Sequence, residues 1–325
     1  MIRRIVTDRG DRGQRLDLVF RRHLADLRGA TRTQVQAWIL DGAVTVNGRA
    51  VRRTAARVAA GDVLTVDLPA GVVAARTAMP AQELALETLY EDEHLIAINK
   101  PPGLVVHPTY RHPEGTVMNA LLWQARGWRE SDRPSMVNRL DKLTSGIVIG
   151  AKTARAHAAM QRALAGDRAA KEYLALVYGR VGRARGTIDL RIRRDPGDRR
   201  RVVASSGGAP SVTHWERLGR GRAEAAGLTL LKCRLVTGRT HQIRVHLAAS
   251  GWPLVGDAKY GQPLWRDIAD ADLRESLRAF PRQALHAWRL AVTHPMTGAT
   301  LRIEAPPPAD LQRLLTAAGL VQCAR

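Results

Sequence analysis

Hydrophobic spacing changes character several times along the first 70 residues. Leu16, Leu18, Val19, Phe20, Leu24 and Leu27 recur at helical intervals. Thr31 stands where a cap would open a second helical set made of Val35, Trp38, Ile39 and Leu40. Asp41-Gly42 stops that helix, and Ala43-Val44-Thr45-Val46 then alternates into Asn47-Gly48, a dipeptide that suits the left-handed corners of a tight hairpin. Val63-Leu64-Thr65-Val66 closes the segment. Residues 13–69 therefore read as a small self-contained unit. Residues 70–83 are mostly small, include Pro80 and keep no period, which predicts a linker.

A second domain is expected over residues 84–325. Leu95-Ile96-Ala97-Ile98-Asn99 is a strand running into the turn Lys100-Pro101-Pro102-Gly103. Thr116 to Gln124 reads as a short helix, Ile147-Val148-Ile149 as a buried strand and Thr153 to Leu164 as a helix. From Glu172 to Tyr178, Tyr173, Ala175 and Val177 point to one face while Leu174, Leu176 and Tyr178 point to the other. Leu231, Cys233 and Leu235 alternate with Lys232 and Arg234 before the turn Thr237-Gly238. Strands and helices are mixed without the regular alternation of a parallel sheet, so the fold class is α+β, with a mixed, mainly antiparallel sheet flanked by helices.

Composition narrows the partners. The chain has 325 residues, 45% of them hydrophobic, and a formal net charge of +21, a field that attracts polyanions. Only six of the 51 basic residues are Lys, an arginine bias that exchanges one cation for the other without creating net charge. Aromatic residues make up 4%, too few for a stacking platform, so phosphates are the expected targets. Cys233 and Cys323 stand alone, which leaves no cysteine cluster for a metal and no disulfide framework and fits a reducing cytoplasm. No stretch approaches the roughly 20 apolar residues of a membrane span. The expected partner is RNA, with no membrane association, and the chain is read as a monomer.

Candidate chemistry centres on Asn138-Arg139-Leu140-Asp141-Lys142-Leu143-Thr144-Ser145-Gly146, which leads directly into the buried strand. A carboxylate between two cations, followed by two hydroxyls and a glycine, is held in its ionised form where a substrate can reach it, although the same spacing also describes a capped turn. Arg139-Leu140-Asp141 with Thr144-Ser145-Gly146 resembles the catalytic motif of the RluA-type RNA pseudouridine synthases. Lys100-Pro101-Pro102-Gly103 with His107-Pro108, Lys171-Glu172-Tyr173, and Thr237-Gly238-Arg239-Thr240-His241-Gln242-Ile243-Arg244-Val245-His246-Leu247 resemble further motifs of that family in the same order. Gly256-Asp257, Tyr260-Gly261 and His294-Pro295-Met296-Thr297-Gly298 continue the likeness. Arg32 to Gly48 resembles the S4 RNA-binding domain. The family commonly carries His where this chain has Asn138, and an acidic residue where it has Leu143.

The resemblance implies an isomerase that turns uridine into pseudouridine in structured RNA, with large-subunit ribosomal RNA favoured and tRNA as the alternative. It assigns Asp141 as nucleophile or base, Arg244 as the cation that pairs with Asp141 through a two-pronged geometry, and Tyr173 as the ring that stacks on uracil. From the residues alone, Arg239 is a rival to Arg244, and Tyr173 could be plain core. The reaction breaks and reforms one bond to the same sugar carbon, so neither metal nor organic cofactor is expected. Arg139 is expected where the flipped base leaves the stack. Residues 180–201 hold nine Arg and three Asp, a candidate RNA clamp that includes Arg194 and Arg200. Arg32, Arg239 and Lys100 complete the candidate RNA contacts, Lys100 being first a turn device. Two other readings compete: a non-catalytic RNA-binding assembly factor, and a glycoside hydrolase, for which no partner carboxylate is evident near Asp141.

Overall fold

The computed structural model describes residues 2–8, 10–24, 27, 30–69, 79–109, 112–129, 132, 134–198, 201–222 and 227–324. The chain divides into two compact units, Met1–Met79 and Pro80–Arg325.

In the first unit, β1 (Ile2–Val6), α1 (Leu16–His23), α2 (Arg32–Leu40), β2 (Val44–Val46), β3 (Arg49–Ala50) and β4 (Val63–Asp67) follow one another. The strands form one sheet in the order β1-β4-β2-β3. Phe20, Leu24, Val35, Ile39, Val44, Leu64 and Val66 fill the core beneath it. Thr31 caps α2 by accepting from the Gln34 amide at 3.2 Å, and Asn47 and Gly48 take positive φ angles of 51° and 78°, as a tight turn with right-handed strand twist demands. The expected start at residue 13 is corrected, because β1 pairs along its length with β4, Ile2 opposite Asp67 and Val6 opposite Val63. This edge strand buries only Ile5 among its apolar residues, leaving Ile2 and Val6 exposed, and so leaves no clean alternation to read.

The second unit continues with β5 (Glu87–Glu91), β6 (Leu95–Lys100), α3 (Val117–Gln124), β7 (Ser135–Met136), β8 (Ser145–Ala151), α4 (Ala154–Ala165), β9 (Ala170–Tyr178) and β10 (Arg185–Asp189). Then come β11 (Ile192–Arg194), β12 (Val202–Ala204), β13 (Val212–Arg220), β14 (Leu228–Leu235), α5 (Gln242–Ala249), α6 (Ala271–Ala279), β15 (Leu285–Thr293), β16 (Thr300–Glu304) and α7 (Ala309–Ala317). Its main sheet runs β10-β13-β14-β9-β15-β8-β6-β5, with β16 on β15 and β7 on β8. The β15–β8 pair is parallel, with His286 opposite Ser145, and the other pairings of this sheet are antiparallel. β11 and β12 form a separate hairpin.

Both faces of the sheet are covered. Leu174, Leu176 and Tyr178 of β9 pack with α6 and α7, while Ala175 and Val177 pack with Ile243 and Leu247 of α5. The expected linker is also corrected at its far end. The Pro80 carbonyl accepts from Asn119 at 2.8 Å and the Gln82 amide donates to the Asn119 carbonyl at 3.1 Å, so residues 80–83 belong to the second unit. Residues 70–78 of that linker lie outside the described residues.

Candidate active site

Asp141 sits in the turn between β7 and β8, and two other segments clasp that turn. The Gly103 amide donates to the Lys142 carbonyl at 2.8 Å. Lys100 donates to the same carbonyl at 3.1 Å, and to those of Pro101 and Leu104 at 2.8 and 3.0 Å. Lys100 is fully buried, so its reading as an RNA contact is corrected: all three ammonium hydrogens are taken by backbone carbonyls. Burial, followed by the charge of Arg282, brings its pKa down to about 7, while Asp141 pulls the other way.

The residues after Asp141 anchor the turn. The Thr144 hydroxyl accepts from Gln283 at 3.1 Å, and the Ser145 hydroxyl lies 2.9 Å from Nδ1 of the buried His286. Gly146 has φ 107°, and a Cβ there would lie 2.2 Å from the Ala287 carbonyl oxygen. Only glycine fits this corner. Asn138 is structural in the same sense, for its side-chain oxygen accepts from the Ile149 amide at 2.7 Å and straps the turn to β8.

On the other side, the first residues of α5 deliver the cation. Arg244 donates from Nη1 to Asp141 Oδ2 at 2.7 Å. Its fork, however, closes on Asp257, with Nε to Oδ2 at 2.7 Å and Nη2 to Oδ1 at 2.8 Å. The expected two-pronged pairing with Asp141 is thus corrected to a single bond, and the bidentate partner is Asp257. Asp257 is 5% exposed and also accepts from the Lys259 and Tyr260 amides at 2.9 and 3.1 Å. Burial raises its pKa, but the Arg244 fork outweighs this and holds it below the usual carboxylate range. For Arg244, burial lowers the pKa, and the Asp257 fork with Asp141 behind it reverses the sign. In the sequence, Asp257 is legible only as the carboxylate of the Gly256-Asp257 pair. Arg239, the rival cation, is exposed, and its backbone amide donates to the Gln242 side chain at 3.1 Å.

Tyr173 is half-buried on β9, packed against the core that α5 covers. Burial, then the charge of Asp141, pushes its hydroxyl up to about 12, so it stays protonated at neutral pH within the field of that carboxylate. Two residues that the sequence reading left without a role complete the site. His241 precedes α5 with φ 54° and turns Nε2 toward Asp141 Oδ1 at 3.8 Å, while its Nδ1 lies 2.8 Å from the Tyr260 hydroxyl. That hydroxyl accepts from the Val202 amide at 2.9 Å. His246 faces away, with Nδ1 at 3.0 Å from the Thr213 hydroxyl and Nε2 at 3.0 Å from the Leu190 carbonyl.

Arg139 is exposed beside Asp141 in sequence, and its charge adds to burial in depressing the pKa of His107. Arg194 is exposed on β11. Arg32 is exposed in the first unit, and its Nε lies 3.6 Å from the buried Asp17 carboxylate. Arg200 lies outside the described residues.

Known proteins resemble this chain over most of its length. The family described as RNA pseudouridylate synthase matches residues 94–249, and the S4 domain matches residues 22–64. Ribosomal large subunit pseudouridine synthase D of Xanthomonas campestris pv. campestris is 39% identical over 318 residues, 97% of this chain and 92% of its own length. The protein of that name from Pseudomonas aeruginosa is 40% identical over 305 residues, 94% of this chain and 92% of its own. Among solved structures, human RNA Pseudouridylate Synthase Domain Containing 1 superposes with a TM-score of 0.54 at 27% identity, covering 72% of this chain and 87% of its own. The family match and relatives of about 40% identity over more than nine-tenths of the chain make this an RNA-modifying isomerase. The chain belongs to the RNA pseudouridine synthase family.

Proposed function

We propose that the protein isomerises uridines of large-subunit ribosomal RNA in the cytoplasm, with Asp141 as the reactive group, Arg244 as its cation and Tyr173 as the ring against the uracil. The observation that carries this reading is the single bond from Arg244 to Oδ2 of Asp141, a carboxylate whose side chain is 26% exposed. One oxygen is held by a buried guanidinium, which orients the carboxylate, and Oδ1 is left to act as nucleophile or base. The N1–C1′ bond breaks, the uracil turns, C5 bonds to C1′, the C5 proton leaves and N1 takes up a proton, with no redox change and no net hydrolysis. A group of this kind must meet the sugar or base at hydrogen-bond distance or closer, and a base in duplex RNA has to leave its stack first. Exposed Arg139, two residues before Asp141, suits the vacated position.

Support for the ribosomal substrate comes from the names of the relatives, which match over more than nine-tenths of this chain. The experiment is release of label from RNA carrying 5-tritiated uridine, followed by nucleoside analysis by mass. Asp141→Asn keeps the shape of the side chain and removes its charge, and turnover should fall by at least about 100-fold with RNA affinity intact. Full activity in Asp141→Asn would end the assignment. Pseudouridine mapping in cells with and without the gene identifies the RNA; sites lost from tRNA rather than the large subunit would redirect the substrate.

A further inference from the structure

The geometry points to His241 as a positioning residue that, together with Tyr260, braces the reactive oxygen of Asp141 and ties it to the backbone of the arginine-bearing β11–β12 hairpin. The inference rests on the reading of Asp141 as the reactive group. Among described residues other than glycine, only Asn47 and His241 have positive φ. Asn47 belongs to a turn that favours it, whereas an imidazole in the left-handed region is strained and persists where its surroundings hold it. Those surroundings are not a helix cap, because the His241 side chain makes no capping hydrogen bond to α5.

Its ring instead spans two groups. The Tyr260 hydroxyl accepts from the Val202 amide, which leaves its own hydrogen to donate to His241 Nδ1 at 2.8 Å. With the Tyr260 hydrogen so placed, the ring proton is on Nε2, which faces Asp141 Oδ1 at 3.8 Å, beyond hydrogen-bond length but within electrostatic reach. Burial of His241 disfavours the imidazolium, Asp141 and Asp257 favour it, and Arg244 and Lys259 oppose it; the balance lowers the pKa and leaves a neutral N–H donor at pH 7. The Arg244 and Arg201 guanidinium carbons stand 5.1 and 5.6 Å from the Tyr260 ring centroid, so the ring is held from both sides of the link. Val202 opens β12, whose partner β11 exposes Arg193 and Arg194. A hairpin seated on phosphate thus fixes Val202, Tyr260, His241 and Asp141 in turn.

Three variants separate the links. His241→Asn tolerates the left-handed backbone and still reaches Tyr260, but not Asp141; His241→Gln places an amide where Nε2 was; Tyr260→Phe keeps the ring and deletes the bridging hydroxyl. Single-turnover rates on RNA should fall about tenfold in His241→Asn and Tyr260→Phe, with unchanged RNA dissociation constants and unchanged melting temperatures, and His241→Gln should recover part of the loss. The wild-type rate should also drop as pH falls through the lowered pKa of His241, beneath the ordinary imidazole value, when Nδ1 gains a proton and can no longer accept from Tyr260, and His241→Asn should lack that step. Asp141→Asn run in parallel tests the underlying reading separately: if it remains active, that reading fails. If it is inactive while His241→Asn and Tyr260→Phe keep wild-type single-turnover rates, or lose activity only through weaker RNA binding, the brace is refuted.

Discussion

Asp257 does not contact Asp141 in any hydrogen bond, yet it sets where the guanidinium beside Asp141 points. Asp257→Asn would leave a buried Arg244 with half of its fork weakened, and removing one partner of a buried ion pair costs about 3 kcal/mol or more. Urea melts at pH 7 should show that loss, and turnover should fall although no group near the substrate has changed. The pH dependence has a definite sign. Asp257 has its folded pKa below the ordinary 3.8, so the pair's contribution is complete above about pH 4 and disappears as pH falls through the lower folded value. In Asp257→Asn the acid limb should flatten. Arg244→Lys should fail in both respects, since one ammonium cannot span two carboxylates in this geometry. The sequence named both residues as part of one motif without revealing which carboxylate takes the fork. The Lys259 and Tyr260 amides decide that by holding Asp257 face-on to Arg244.

At the level of elements, legibility followed periodicity. α2, α4 and the two faces of β9 carry regular apolar spacing and were readable, as was the Asn47-Gly48 hairpin. α5 was not readable as a helix, because Gln242, Arg244 and His246 are all buried in it. Polar residues inside a helix confuse any stripe; here they serve the site or satisfy neighbouring carbonyls, as Gln242 does for Val212 at 3.0 Å. Glycines divide along the same lines. Gly146→Ala places a Cβ 2.2 Å from the Ala287 carbonyl oxygen and should break the β8–β15 pairing, with loss of the folded transition and of activity although Asp141 is untouched. Gly103→Ala also faces a positive φ, 88°, but no atom lies within 4 Å, so calorimetry should register only about 1 kcal/mol.

Across the whole molecule, a formal charge of +21 makes a field that attracts polyanions. RNA affinity should fall with a log–log salt slope of several units, and deletion of residues 1–79 should lower both the affinity and that slope while the second unit, which has its own cores, still melts cooperatively. An affinity indifferent to salt would refute the electrostatic reading. The strand order carries a further consequence, for the timing of synthesis. Among the strands of the described residues, β15 alone joins the β10-β13-β14-β9 half of the main sheet to the β8-β6-β5 half. Asp141 belongs to the second half, and Tyr173 and Arg244 to the first. A chain still on the ribosome with residues beyond 284 inside the exit tunnel holds all three groups and the side chains that link them, but lacks the strand whose backbone registers one half of the sheet against the other. Such a nascent chain, surrounded by ribosomal RNA, should be catalytically silent, and stalled chains of graded length should acquire activity in one step when Leu285–Thr293 emerges.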